Sequence, residues 1–240
     1  MWARWAAVGI AGLAMAAAQA SALADGRPDV SAAVGLGGLR VPVVRCSTPP
    51  TESGFPPQFR RSGFPRRGPA VVGARLASQL ALYSNGWLTL LAPRGWKCRA
   101  VLAATGHVFL SVLPPGAPAQ VVSVSRRTPA VTADLPSAGT GEFGGLACPF
   151  FPAAAPQPGW THCPSIPTGE LVTRLGSHVA AFEDPSRVAG TGDPSGGVYP
   201  ANGVVVYRDT RAALATCTLT EAKHAECTAI LNDFIGRYPL

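Results

Sequence analysis

The chain lacks most of the features that announce a function. It has no C-x-x-C pair, so its six cysteines do not carry the spacing of a structural zinc site. It has no glycine loop of the Walker or dinucleotide type, which leaves nucleotide-dependent chemistry without its phosphate cradle. Lysine is scarce, since eighteen of the twenty basic residues are arginine. Basic residues are not interleaved with aromatics, so the positive balance does not read as nucleic-acid binding. Beyond the first two dozen residues no segment approaches the roughly 20 consecutive apolar residues of a membrane span. No cysteine follows the first apolar run, so that site has no thiol for a lipid anchor.

What is present begins with an export signal. Arg4 supplies positive charge, residues 5–18 are almost wholly apolar, and small residues follow in "AQASALADG". Cleavage is expected after Ala24, with Ala22 and Ala24 as the small-x-small pair; a cut after Ala20 satisfies the same rule. Removing residues 1–24 takes away Arg4 alone among charged side chains and lowers the formal charge from +7 to +6. The remaining length suits one domain, able to bury about 70 per cent of its unfolded surface. The expected organisation is a signal peptide at 1–24, a Pro/Gly/Arg-rich segment at 25–76, and one disulfide-bonded, β-rich domain at 77–240. The protein is expected to be secreted or held at the cell envelope, with no transmembrane segment in the mature chain.

Cys46, Cys98, Cys148, Cys163, Cys217 and Cys227 all lie beyond the signal, and an exported chain with an even number of cysteines reads as a disulfide framework. Six cysteines allow 15 connectivities. Short loops close most readily, so the expected pairs are Cys46 with Cys98, Cys148 with Cys163, and Cys217 with Cys227. An oxidised set leaves no thiol for catalysis and no metal site is expected.

Residues 47–70 hold six prolines and three glycines, and the tetrapeptide SGFP occurs twice, at 53 and at 62. Proline removes ladder donors and fixes φ, so this stretch reads as an extended spacer or loop. Arg60, Arg61, Arg66 and Arg67 make it basic, and contact with an anionic wall polymer or membrane surface is the functional expectation beside plain solvation.

From residue 78 short alternating runs take over. "SQLALYSNGWLTLLAP" sets Asn85 and Gly86 between two apolar strands, a hairpin signal, and "WKCRAVLA", "HVFLSVLP" and "QVVSVSRR" follow. Four or five antiparallel strands are expected there, with Trp87 and Trp96 covering the sheet. Phe150, Phe151 and Trp160, in "CPFFPAAAPQPGWTHC", are expected to plug an edge of the core. "GELVTRLGSHVAAFEDP" offers two strands or a helix, and "GVVVYRD" a buried strand. At the C-terminus Cys227, Ile230, Leu231, Phe234, Ile235 and Tyr238 recur every three or four residues, which predicts an amphipathic helix capped by Thr220. Asp233 and Arg237, four apart, read as a surface pair. The fold class expected is α+β: mainly antiparallel sheet with a C-terminal helix packed on it.

One stretch invites a catalytic reading. "GTGDPSGG" nearly spells the G-D-S-G-G turn of chymotrypsin-like proteases, with Ser195 as nucleophile and His107 of "AATGHV" as an upstream base. Pro194 interrupts that match. It places Asp193, rather than glycine, two residues before the serine and restricts it to extended conformations. His162 adjoins Cys163 in a loop, His178 is expected in a strand and His224 on the exposed side of the terminal helix, and each reads as structural rather than catalytic. For a glycosidase-type carboxylate pair the candidates are Glu183 and Asp184 with Glu142 or Glu170; adjacent strand residues point to opposite faces, so Glu183 and Asp184 cannot serve each other.

"VAGTGDPSGGVYPANGVVVY", "LAPRGWKCRAV" and "ATCTLTEAKHAECTAILNDFIGRY" resemble segments of secreted proteins of GC-rich actinobacteria that carry no established activity. The likeness runs from about residue 80 onward. It implies export, paired cysteines and a shared domain in which "PSGG" is structural. The expected function is therefore a non-enzymatic binding or structural domain without cofactor, with a serine hydrolase using Ser195 and His107 as the alternative.

Overall fold

Period-two apolar patterning runs through the chain from Leu39 onward, and the strands it dictates assemble into two sheets. The computed structural model describes residues 39–48, 67–70, 72–102, 108–117, 119–127, 149–151, 165–208 and 211–238. Strands β1 (Leu39–Arg45), β2 (Arg67–Ala70), β3 (Leu80–Ser84) and β4 (Thr89–Pro93) form a four-stranded sheet in the order β2-β1-β3-β4. Strands β5 (Lys97–Leu102), β6 (Val108–Leu113), β7 (Val121–Arg127), β8 (Leu171–Arg174), β9 (Val179–Asp184), β10 (Ala201–Arg208) and β11 (Arg211–Thr218) form a seven-stranded sheet. Its order is β5-β6-β7-β11-β10-β9-β8, with every neighbour antiparallel. A short helix α1 (Ala74–Ala77) precedes β3, and a 3-10 turn (Glu221–Lys223) leads into helix α2 (His224–Arg237). The fold is α+β, as the patterning implies.

Strand β1 lies in the Pro/Gly/Arg-rich segment 25–76, ahead of the 47–70 stretch expected to be a spacer, and β2 occupies the last four residues of that stretch. Residues Leu39 to Pro42 of β1 pair with β2, and Val43 to Arg45 pair in parallel with β3. The change of partner falls at Pro42, which has no N–H to give to a ladder. Val41 is 1% exposed, so this strand enters the core. Of the spacer reading itself, residues 49–66 lie outside the described residues, as do Arg60, Arg61 and Arg66; the backbone of Arg67 is in β2.

The Asn85-Gly86 hairpin joins β3 to β4, with Ser84 opposite Thr89. Only Gly86 takes positive φ, at 87°. Asn85 works through its side chain instead: its Oδ1 accepts the N–H groups of Trp87 (3.1 Å) and Leu88 (2.7 Å), an Asx-type turn. Both tryptophans are half-buried and pack against the core. Buried Tyr83 then fixes the corner into β5, donating to the Pro93 carbonyl (2.8 Å) and accepting the Trp96 N–H (3.1 Å).

The main core fills the space between the small sheet, α2 and one face of the large sheet, with Leu82, Leu90, Leu110, Val124, Val204 and Ile230 fully enclosed. Alternation along β10 turns Val205 and Tyr207 to the other face, where Phe150 and Phe151 cover them. Phe150 stacks on Phe182 (5.5 Å between centroids) and Phe151 on Tyr207 (5.7 Å), so these two rings close a second, smaller core. Trp160 lies outside the described residues.

The α2 stripe is buried at every expected position, from Cys227 to Tyr238. Two local expectations are corrected. Thr220 precedes the 3-10 turn and makes no side-chain cap. Asp233 is 2% exposed rather than at the surface, and accepts both Nε and Nη2 of Arg237 at 2.9 Å. The reason is that α2 is packed against β4 as well as β10 and β11, so more of its circumference is covered than one amphipathic stripe accounts for. Tyr238 ends the helix by donating to the Thr89 carbonyl and accepting its N–H, each at 2.9 Å. Burial pushes that hydroxyl up to about 12.

Cys46–Cys98 joins β1 to β5 and so ties the two sheets together; Cys217–Cys227 ties β11 to α2. Loop-closure entropy makes these worth about 4 and about 3 kcal/mol. Cys148 and Cys163 lie outside the described residues. Disulfides of this kind belong to an oxidising compartment. Among the described residues no helix is long and apolar enough to cross a membrane.

Candidate functional site

The glycine-rich loop that carries Ser195 begins where β9 ends, at Pro185, and closes over the end of the β8–β9 hairpin. The hairpin pairs Leu171 with Glu183 and Arg174 with Ala180. One step further the same register sets Glu170 opposite Asp184. Both side chains share the face of Phe182, and they are 8% and 1% exposed.

The loop is held by these two carboxyl groups. Thr191 N–H donates to Glu170 Oε2 (2.7 Å), and the N–H groups of Gly192 and Asp193 donate to Asp184 Oδ2 (2.6 and 3.0 Å). Gly190 lies so close above Asp184 that a Cβ there would overlap the carboxylate. Glu170 Oε1 and Asp184 Oδ1 are buried without a hydrogen-bond partner among the described residues. Burial, reinforced by the hydrogen bond to Asp184, pushes the Glu170 carboxyl up to about 7. A buried carboxylate beside a second carboxyl is costly to charge, so Glu170 keeps its proton up to about neutral pH. The pair sits beneath the loop, buried against its backbone.

Ser195 itself is exposed, at the tip of a turn. Its Oγ donates to Asp193 Oδ1 (2.5 Å), and its N–H donates to the same oxygen (2.9 Å). Gly197 N–H donates to Asp193 Oδ2 (2.9 Å), and Gly196 N–H, at φ 65°, donates to the Asp193 carbonyl (3.1 Å). Pro194 fits the second position of such a turn, and an Asp at the first position accepts from the backbone two residues on. The Ser195 hydrogen bond, ahead of the backbone donors, holds the Asp193 carboxyl below its usual range. The serine proton therefore goes to a carboxylate, and the N–H groups of residues 195, 196 and 197 are taken up within the turn.

His107 lies outside the described residues, as do His162 and Glu142. His178 is exposed in the turn between β8 and β9 rather than in a strand. His224 lines a small recess with Asn202, Thr220 and Glu221 at the start of α2, away from the Ser195 turn in the chain. Among the described residues no group of three or more His, Cys, Asp or Glu is arranged to hold a metal. Alternation along β9 puts Glu183 and Asp184 on opposite faces; the carboxyls that meet are Glu170 and Asp184. Their pairing was available in the sequence, because a hairpin centred on residue 177 matches 170 to 184, but "GELVTRLGSHVAAFEDP" also reads as a helix.

No family model matches the chain, and no curated protein is significantly similar to it. That agrees with its resemblance to secreted proteins that have no characterised member.

Proposed function

We propose that this is an exported, non-enzymatic binding or structural domain of the extracellular space or cell envelope. The observation that carries the reading is the state of Ser195: its proton is donated to Asp193, and the two N–H groups that would stabilise an oxyanion are already engaged, that of Ser195 with Asp193 Oδ1 and that of Asp193 with Asp184 Oδ2. A chymotrypsin-type serine needs a base on its hydroxyl and open N–H donors beside it. The disulfides and the export signal support the compartment, and Arg60, Arg61, Arg66 and Arg67 suit a first contact with anionic envelope material.

The alternative, a serine hydrolase using Ser195 and His107, rests on the order of those residues in the chain. A fluorophosphonate probe separates the two. The non-enzymatic reading expects no labelling of the mature protein; labelling that Ser195→Ala abolishes would replace it with the hydrolase. Retention on purified cell wall is the positive measurement.

A further inference from the structure

Between residues 53 and 133 the chain contains no Asp or Glu and ten Lys or Arg. At the chain's average acid content that span would hold about four acidic residues. Every described acidic residue lies at Glu170 or beyond, in the half made of β8 to β11 and α2. Three of them, Glu170, Asp184 and Asp233, are buried and already engaged with the loop or with Arg237. Among the described residues, the fold therefore leaves one end of the large sheet positive with no acidic residue near it in the chain.

The geometry there is specific. Lys97 and Arg99 are exposed on one face of the edge strand β5, while Cys98 and Ala100 between and beyond them point to the core. Two residues apart on a strand, they stand about 7 Å from each other. Exposed Arg94 precedes them in a turn pinned by Tyr83 and by its own N–H to the Gln79 carbonyl (2.7 Å). From Arg99 a hydroxyl row crosses the sheet on the same face: Arg99 opposite Ser111, Ser111 opposite Ser123, and Ser123 opposite Thr216. Ser123 and Thr216 are hydrogen-bonded at 2.7 Å, whereas Ser111 and Ser123 remain partly exposed.

We infer that this face binds a linear anionic polymer of phosphodiester-linked polyol units, with phosphates on Arg94, Lys97 and Arg99 and polyol hydroxyls along Ser111 and Ser123. Guanidinium forks match phosphate oxygens in pairs, and the cation spacing along β5 is comparable to one repeat of such a chain. Charge on an edge strand also deters strand pairing, but that task is indifferent to sign and does not call for an acid-free run of this length. Lys97 and Arg99 lie along one strand and lead onto the hydroxyl row, which fits a polymer strand better than the plane of a membrane. This inference names a partner for the binding domain proposed above and rests on that reading.

The test uses the mature protein and immobilised poly(glycerol phosphate), with binding measured from 20 mM to 300 mM salt. Wild type is expected to bind and to weaken linearly in log K against log salt. Lys97→Glu/Arg99→Glu should lose at least tenfold in affinity and reduce the salt slope by about one to two. Lys97→Gln/Arg99→Gln should lose less, and Arg174→Glu/Arg187→Glu, with the same net charge change at the opposite end, should stay within about twofold. No binding by wild type, equal losses in the two charge-reversed proteins, or tighter binding to anionic vesicles or single-stranded oligonucleotide than to the polymer would each overturn the assignment. Fluorophosphonate labelling is read separately, so failure of the non-enzymatic reading is distinguishable from failure of the polymer site.

Discussion

Replacing Glu170 by Gln should stabilise the protein, and only at neutral to alkaline pH. In the folded chain the Glu170 carboxyl is pushed from 4.5 up to about 7, first by burial and then by its hydrogen bond to Asp184. A raised carboxyl favours folding while it is protonated in the folded state. Its contribution is thus fully present below pH 4.5, declines between pH 4.5 and 7, and above 7 leaves a constant penalty. At 1.36 kcal/mol per unit, the difference of about 2.5 units amounts to about 3 kcal/mol. Glutamine keeps an acceptor for Thr191 N–H and places a permanent donor toward Asp184, so it imitates the protonated acid at every pH. Urea unfolding of wild type and Glu170→Gln, disulfides intact, should show similar stability at pH 4.5 and a gain for the variant of about 3 kcal/mol at pH 8. Comparing the two proteins at each pH cancels the other titrating groups. A difference that does not vary with pH, or a variant less stable than wild type at pH 8, would refute the account of a Glu170 carboxyl raised by burial.

Gly190→Ala drives a Cβ into the Asp184 carboxylate and should cost about 2–3 kcal/mol in thermal or urea unfolding, with proteolysis within 186–197 as the local symptom. Tyr238→Phe removes both hydrogen bonds to Thr89 and leaves its N–H without that partner; a loss of about 1–3 kcal/mol and faster amide exchange at Thr89 are expected. Arg187, exposed at φ 65°, is a non-glycine residue in the left-handed region, and Arg187→Gly should be neutral or stabilise by up to about 1 kcal/mol in the same unfolding assay.

Much of the fold is legible in residue patterns because a strand's alternation and a helix's three-four spacing are local signals. The β3–β4 hairpin, the β10 strand and the α2 stripe are of this kind, and so are the Cys46–Cys98 and Cys217–Cys227 pairs, which loop length alone favours. The strand role of Leu39–Arg45 is less legible, because Pro42 interrupts the ladder and the surrounding composition is that of a spacer. The burial of Asp233 escapes a one-helix argument, since a second sheet covers that side of α2. At the candidate site, Pro194 already argues against a protease turn by position. What it cannot reveal is that Asp193 takes the serine proton and the adjacent N–H groups into one turn.

By itself the sequence determined the Cys46–Cys98 and Cys217–Cys227 pairs, the α+β class and the asymmetric distribution of charge, since these depend on composition, spacing and local periodicity. Only the tertiary structure decided that Glu170 faces Asp184 beneath the glycine-rich loop, that Lys97 and Arg99 lead onto a hydroxyl row, and that the five strands from Leu80 to Arg127 divide between two sheets. Each of those depends on strand register or on which surfaces meet, and contacts between residues far apart in the chain settle both.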